Sequence, residues 1–277
     1  MITRPLVRYH GSKWAIAPWI ISFIPSHRVY AEPYGGGGAI LLRKARCHEE
    51  IYNDIDSDIV NLFRVTRDSG SELKKLLENT PFSRDEYLQA YKPADNPIEQ
   101  ARRTVIRAFM GRANTGATGK ISENGSIATG FRANTRYCGK SAAKVWASYP
   151  EALDALIDRL KGVVIENRNA LEIFDLHDTD QTLFYVDPPY LFSVRDAGTD
   201  YRYEMTEQDH IELAKKLHEI KGSVILSGYH SELYNELYKD WTVKEKNTYC
   251  DSVTEKERIE VLWLKNIDID LFGGELL

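Results

Sequence analysis

The chain has 277 residues, of which 43% are hydrophobic and 11% aromatic, enough to bury one elaborated domain or two small ones. It contains no apolar run of the ~18 residues that a membrane span needs, and no secretory signal pattern. Three widely spaced cysteines and seven histidines without ligand spacing predict neither disulfides nor a metal site. We therefore expect a cytoplasmic protein without a metal.

The charge of the chain is unevenly distributed. The formal net charge is −5, yet residues 101–145 contain nine basic residues and one acid, Glu123. This segment therefore carries +8, and the rest of the chain carries −13. Such an asymmetry favours a surface that binds a polyanion, with a solvated, charged helix face as the alternative.

In chain order, the first elements are two predicted strands, 28–32 and 50–53, that flank a helix over 39–46. This is the β-α-β spacing of a parallel sheet. Residues 57–160 are mainly helical, with a long Gly-, Asn-, Ser- and Thr-rich stretch over 111–139. The remaining predicted elements are strands over 163–165, 182–186, 223–227, 242–246 and 259–264, and helices over 206–220 and 231–238.

This order predicts an α/β fold in which one sheet domain is interrupted by an insert. The sheet domain comprises residues 1–56 and 161–277. The insert, residues 57–160, is mainly helical and contains most of the basic segment.

A glycine-rich turn follows the first predicted strand. Glu32, Pro33 and Tyr34 precede four glycines, Gly35–Gly38, which allow positive φ and a close approach of the backbone to a ligand. Asp54 ends the next strand about 20 residues later, where an acidic residue can hold ribose hydroxyls. The pattern fits any adenosine-containing cofactor; a tight turn and a helix-capping Asp54 are the alternative.

The sequence Asp187-Pro188-Pro189-Tyr190 follows an apolar strand, at the edge where open α/β sheets bind ligands. The two prolines fix the backbone and remove two N–H donors. The Asp187 carboxylate and the Pro188 carbonyl can then accept both hydrogens of one NH₂ group, and the Tyr190 ring offers a stacking surface for a base. A strand end followed by a proline turn is the alternative.

These motifs resemble those of the Dam-type (class alpha) DNA adenine-N6 methyltransferases. Residues 187–190 match the signature of amino-methyltransferases, and residues 33–38 resemble their cofactor loop, with Tyr34 where Phe is usual. Tyr9-His10-Gly11-Ser12-Lys13 resembles their N-terminal segment, and residues 53–56 their ribose-binding strand end. The resemblance covers residues 5–56 and 163–265; within the insert it concerns position and composition.

The resemblance implies a Rossmann-like sheet, a helical target-recognition domain, and N6 methylation of adenine in duplex DNA by S-adenosylmethionine. Asp187 and the Pro188 carbonyl would make the amino nitrogen more tetrahedral, and the base would flip out of the duplex to reach them. Phe192 and Tyr201 are candidates for enclosing that base. The implied cofactor-binding residues are Tyr9, Lys13, Glu32, Pro33, Tyr34, Gly36, Gly38, Asp54 and Asn169, the last standing where Asp is common.

The insert is expected to bind double-stranded DNA, since Arg and Lys contact phosphates and Arg and Asn can read base edges. We expect a monomer in solution. The candidate contacts are Arg102, Arg103, Arg107, Arg112, Asn114, Lys120, Arg132, Asn134, Arg136, Lys140 and Lys144.

Three other functions remain open at this point. One is the same chemistry on RNA adenine. Another is a nicotinamide-dependent dehydrogenase, although the glycines form no proper G-x-G-x-x-G turn. The third is a non-catalytic DNA-binding protein, which the intact Asp187–Tyr190 motif disfavours.

Overall fold

A computed structural model describes residues 2–112, 117, 130–133, 141–195, 201–249 and 257–268. The strands within these residues are β1 (Val29–Glu32), β2 (Glu49–Asn53), β3 (Val163–Glu166), β4 (Thr182–Val186), β5 (Ser223–Gly228), β6 (Thr242–Tyr249) and β7 (Glu257–Lys265). The α-helices are α1 (Ala17–Ile21), α2 (Ala39–Arg43), α3 (Ser57–Glu78), α4 (Arg84–Gln89), α5 (Pro97–Met110), α6 (Ala142–Ala147), α7 (Leu153–Leu160), α8 (Ala170–His177), α9 (Glu207–Glu219) and α10 (Glu232–Leu237).

The seven strands form one sheet in the order β3-β2-β1-β4-β5-β7-β6. Strands β1 to β5 are parallel, whereas β7 runs antiparallel to both β5 and β6. The strand order runs outward in opposite directions from the β1–β4 pair. The carboxyl ends of β1 and β4 therefore flank a crevice, the usual ligand site of such sheets. The expected Rossmann-like α/β fold is confirmed.

Helices cover both faces of the sheet. Every residue of β4 is buried, as expected of a strand between two helical layers. Phe63 of α3, Val105 of α5 and Leu156 of α7 share one core with Tyr52 and Leu183 of the sheet. The other face packs against α8, α9 and α10. The helices of residues 57–160 thus form a layer of the sheet domain itself, and the two-domain boundaries stay a prediction.

Local sequence signals account for several helix starts. Thr206 and Asp209 form a capping box at the start of α9, and the Ser83 side chain accepts a hydrogen bond from the backbone of Glu86 in α4. Helix α2 ends earlier than predicted because Lys44 is extended. The β6–β7 hairpin is longer than predicted. No helix in the described part of the chain is long and apolar enough to span a membrane.

Candidate active site

The glycine turn after β1 brings the backbone close to the end of β2. Gly36 and Gly38 have φ of +47° and +61°, a region that favours glycine. A Cβ atom would lie 3.0 Å from the Tyr9 ring at Gly36 and 2.8 Å from the Phe63 ring at Gly38. Both positions therefore need glycine, and the Gly36 backbone stays open toward the space above the sheet.

Asp54 connects the end of β2 to this turn. Its carboxylate accepts hydrogen bonds from the backbone N–H groups of Gly36, at 2.7 Å, and Asp56, at 2.8 Å. Burial raises the pKa of Asp54 to about 6, although these hydrogen bonds oppose the shift. A carboxylate has about four acceptor positions, so Asp54 can still accept from ligand hydroxyls.

Glu32 and Asn169, two further predicted cofactor residues, hold neighbouring backbone. Glu32 is buried and accepts hydrogen bonds of 2.6 Å from the Tyr30 hydroxyl and the Leu41 backbone N–H. Burial raises the pKa of Glu32 to about 7. The Asn169 side chain caps α8 by accepting from the backbone of Leu171 at 2.9 Å. Both residues therefore shape the walls of the site.

An ion pair connects the N-terminal segment to the Asp-Pro-Pro-Tyr turn. Lys13 Nζ lies 3.0 Å from Asp187 Oδ1, donates to the Gly11 carbonyl at 2.9 Å, and lies 4.7 Å from the centre of the Tyr190 ring. Burial would lower the pKa of Lys13, but the charges of Asp187 and Glu260 outweigh it and raise that pKa. Burial raises the pKa of Asp187, and Lys13 opposes the shift. One ammonium thus holds the carboxylate in place.

Tyr190 is anchored through its hydroxyl. The oxygen lies 3.1 Å from Ser227 Oγ and 3.2 Å from Glu260 Oε2. The ring packs edge-to-face against Tyr229, with centroids 4.7 Å apart. The ring is mostly buried, and its use as a stacking surface stays a prediction.

Two adjoining cavities lie over the carboxyl ends of β1, β2 and β4. The larger is an open cleft of about 280 Å³, and the smaller measures about 40 Å³. They share walls formed by Tyr9, Tyr34, Gly36, Asp187 and Tyr201. The larger cleft is also lined by Pro33, Asp54, Asn169 and Pro189, and the smaller by Lys13 and Glu32. The structure therefore brings together all the predicted cofactor residues except Gly38, which supports the turn from behind.

The comparison with known families identifies the family of the chain. The sequence profile of the D12 class N6 adenine-specific DNA methyltransferases matches residues 9–251, which include the Lys13 segment, the glycine turn and residues 187–190. The chain belongs to this family. It is also similar to the Type II methyltransferase M1.LlaDCHI of Lactococcus lactis subsp. cremoris, with 24% identity over 252 residues, 87% of this chain and 86% of the relative.

As a D12 class enzyme, the protein methylates adenine in DNA at specific sites and uses a methyl donor. Family membership rules out the dehydrogenase and the non-catalytic DNA-binding protein as alternatives. It also agrees with the choice of DNA over RNA. No cluster of metal-ligating side chains occurs among the residues that the structure describes.

The loop that follows the Asp187–Tyr190 turn contributes side chains to one wall of the larger cleft. Arg202 pairs with Asp56 at 3.0 Å and with Asp58, at the start of α3, at 3.1 Å. Tyr201 packs edge-to-face on His10 at 5.2 Å. Phe192 is 50% exposed. Sequence reasoning missed Arg202, because its partners are 144 and 146 residues away and no local pattern marks them.

Three of the predicted DNA contacts of the insert form ion pairs within the fold. Arg102 pairs with Glu86 and Glu99, and Arg103 with Glu99, each at 2.7 Å. Arg107 is 3% exposed and pairs with Asp58 at 3.1 Å. These arginines are bonded within the fold, so the charge available to DNA is smaller than the sequence count.

Other basic residues stay on the surface of the insert. Arg112 and Lys144 are exposed, Arg132 is half-buried, and an exposed residue that the sequence analysis did not select, Arg84, lies 5.0 Å from the centre of the Phe131 ring. The remaining candidates lie outside the described residues: Asn114, Lys120, Asn134, Arg136 and Lys140.

Proposed function

We propose that this D12 methyltransferase binds S-adenosylmethionine in the two cavities and methylates N6 of an adenine that is flipped out of duplex DNA. The observation that carries the proposal is the position of the Lys13–Asp187 pair. Asp187 lines both cavities. Lys13 lines the smaller one, and its ammonium lies 3.0 Å from the Asp187 carboxylate. The catalytic carboxylate thus lies where a donor on the glycine turn and an incoming base would meet.

The described residues fit S-adenosylmethionine. The cleft of about 280 Å³ lies close to the lower end of the usual range of ligand sites, and Gly36 lines both cavities at a position where a Cβ atom would meet the Tyr9 ring. Asp54 has acceptor capacity left for ribose hydroxyls. Asp54, with a pKa of about 6, is largely ionised at neutral pH and places negative charge on the wall of the cleft, which suits a cationic ligand. When bound, the sulfonium supplies an electrophilic methyl group.

The residues of the chain would act mainly by alignment. The Asp187 carboxylate accepts one hydrogen of the adenine amino group, and the Pro188 carbonyl accepts the other. These bonds favour a tetrahedral nitrogen with an available lone pair. Lys13 prevents the carboxylate from turning away. Preorganised groups of this kind supply most of the rate enhancement in such sites, and no covalent enzyme intermediate is needed.

The base would reach these groups only outside the helical stack, which is why base flipping belongs to the proposal. Tyr190 would then contact its face, and Tyr201 would enclose it from the loop. Residues 57–160 would act as the target-recognition domain, through Arg112, Arg132 and Lys144 among others.

The biological setting is also proposed. The relative's printed name, a Type II methyltransferase, favours a role in restriction–modification. We propose a monomer that works on DNA in the cytoplasm.

The test uses purified protein, S-adenosylmethionine and genomic DNA from a host without adenine methylation. Nucleoside mass spectrometry should detect N6-methyladenine, and sequencing of modified bases should give one recognition sequence. RNA transcribed from the same fragment is the comparison substrate. Methylation of the RNA alone, or no turnover with this donor, would refute the proposal.

A further inference from the structure

The structure places one buried acid next to the catalytic turn, Glu260, that none of the predicted roles uses. Glu260 lies on β7 and is 8% exposed. Its Oε2 accepts a hydrogen bond from the Tyr190 hydroxyl at 3.2 Å. Tyr190 is also within 3.1 Å of Ser227 Oγ on β5. A hydrogen-bonded chain Ser227–Tyr190–Glu260 thus connects two strands to the catalytic turn.

Glu260 is held without an ion pair in the part of the chain that the structure describes. Lys246 is its cross-strand partner on β6, yet the Lys246 ammonium lies 5.8 Å from the centre of the Trp19 ring. A buried carboxylate without a paired cation is costly unless hydrogen bonds compensate. The hydrogen bond from the Tyr190 hydroxyl is a contact that compensates the burial of Glu260.

The geometry also connects Glu260 to Asp187. Lys13 pairs with Asp187 and lies 4.7 Å from the centre of the Tyr190 ring. The charge of Glu260 is one of the causes that raise the pKa of Lys13. If the Tyr190 ring tilted, its packing with both the Lys13 ammonium and Tyr229 would change. A fixed Tyr190 ring therefore helps to hold the Lys13 ammonium, which in turn holds the Asp187 carboxylate.

We propose that Glu260 is a positioning residue for methyl transfer: by accepting from the Tyr190 hydroxyl it sets the tilt of the ring against which the flipped adenine is held. The inference rests on the proposed function. Glu260 touches neither donor nor base, and its effect passes through Tyr190.

The first measurement is single-turnover methylation by the full chain. Removal of the acceptor in Glu260→Ala should lower the rate about 100-fold, the loss typical of a small misalignment of reacting groups. Glu260→Gln should recover most of the rate, because its amide oxygen still accepts from the hydroxyl. Affinity for S-adenosylmethionine should not change in either variant.

The second measurement is a double-mutant cycle. Tyr190→Phe keeps the ring and loses the hydroxyl, so its loss should match that of Glu260→Ala and be smaller than that of Tyr190→Ala. The double variant Tyr190→Phe/Glu260→Ala should be no slower than either single variant, since both remove one interaction. Fluorescence of 2-aminopurine at the target position reports base placement and should change in parallel, with every variant assayed below its own melting temperature.

Glu245→Gln is the matched control. It removes one negative charge from the same hairpin, at an exposed side chain that contacts His230 at 2.8 Å, and should behave as wild type. A Glu260→Ala rate within twofold of wild type, or additive losses in the cycle, would overturn the inference. A wild-type enzyme that methylates no DNA would instead overturn the proposed function itself.

Discussion

Asp187 is the proposed catalytic residue, and its neighbours predict what its removal should do. Asp187→Ala should lower methyl transfer roughly 10³-fold or more, since it removes an interaction aimed at the developing charge. Affinity for S-adenosylmethionine should remain nearly unchanged, because Asp54 and the glycine turn are intact. Rate and calorimetric affinity are measured on the same preparation. Asp175→Ala, which removes an exposed acid that pairs with Lys216 on α9, is the control. Substantial turnover by Asp187→Ala would contradict the mechanism.

Asp54 predicts a pH dependence of cofactor binding. Burial raises the pKa of Asp54 to about 6 in the unliganded enzyme. Ribose hydroxyls and a cationic ligand prefer the ionised carboxylate, so binding below that pKa must release a proton. Affinity should therefore weaken by up to about tenfold per pH unit below pH 6 and be constant above it.

The corresponding effect on folding has the opposite sign. The folded pKa of Asp54 exceeds the ordinary value of 3.8, so its contribution to stability is present at low pH and is lost as pH rises through 6.

Titration calorimetry across this pH range, in buffers of different ionisation enthalpy, measures the proton that Asp54 releases when the cofactor binds. Asp54→Ala should weaken binding at pH 8 by roughly 1.5–3 kcal/mol, as for hydrogen bonds to a charged group. An unchanged affinity in this variant would remove Asp54 from the site.

Helix α5 contains a basic residue, Arg107, that is buried and stabilises the fold. Arg107 is buried between Asp58 and backbone carbonyls of Ala90 and Ala117. Arg107→Met should destabilise the fold by about 3 kcal/mol, the low end for breaking a buried ion pair, because Asp58 keeps Arg202. Urea unfolding measures the loss. Lys215→Met, an exposed change on α9, is the control.

The same variant distinguishes a fold role from a DNA role. In Arg107→Met, the dependence of DNA affinity on salt should equal that of wild type at a temperature where both are folded. A smaller slope with unchanged stability would restore Arg107 as a phosphate contact.

At the scale of the whole molecule, sequence reasoning succeeded where neighbouring strands bring motifs together. Gly36, Asp54 and Asp187 all follow strand ends of one parallel sheet, so their meeting follows from topology. It did not predict the ion pairs and hydrogen bonds that individual charged side chains form. Glu99 precedes Arg102 and Arg103 by one helical turn, a local signal of pairing that a charge count ignores. Arg107, Arg202 and Glu260 find partners that only the folded chain brings near.

The distribution of exposed and ion-paired basic residues predicts how the molecule binds a duplex. The residues outside 101–145 carry −13 and repel DNA, so an approach through the basic side chains of Arg84, Arg112, Arg132 and Lys144 is favoured. Each of these that contacts a phosphate adds close to one unit to the slope of log affinity against log salt. Its change to Ala should reduce that slope by about one and weaken all sequences alike, whereas a base-reading residue would cost ~1–3 kcal/mol on the target alone.

Titrations of target and non-target duplexes at several salt concentrations separate these outcomes, with Lys215→Ala as the control on the opposite face of the sheet. Arg102→Ala and Arg103→Ala should leave the slope unchanged, because Glu86 and Glu99 already hold both guanidinium groups. If Arg84, Arg112, Arg132 and Lys144 all behave as Lys215 does, the DNA-binding surface lies elsewhere. If Arg102 and Arg103 reduce the slope instead, their ion pairs open when DNA binds, and the unbound fold understates the positive charge of the insert.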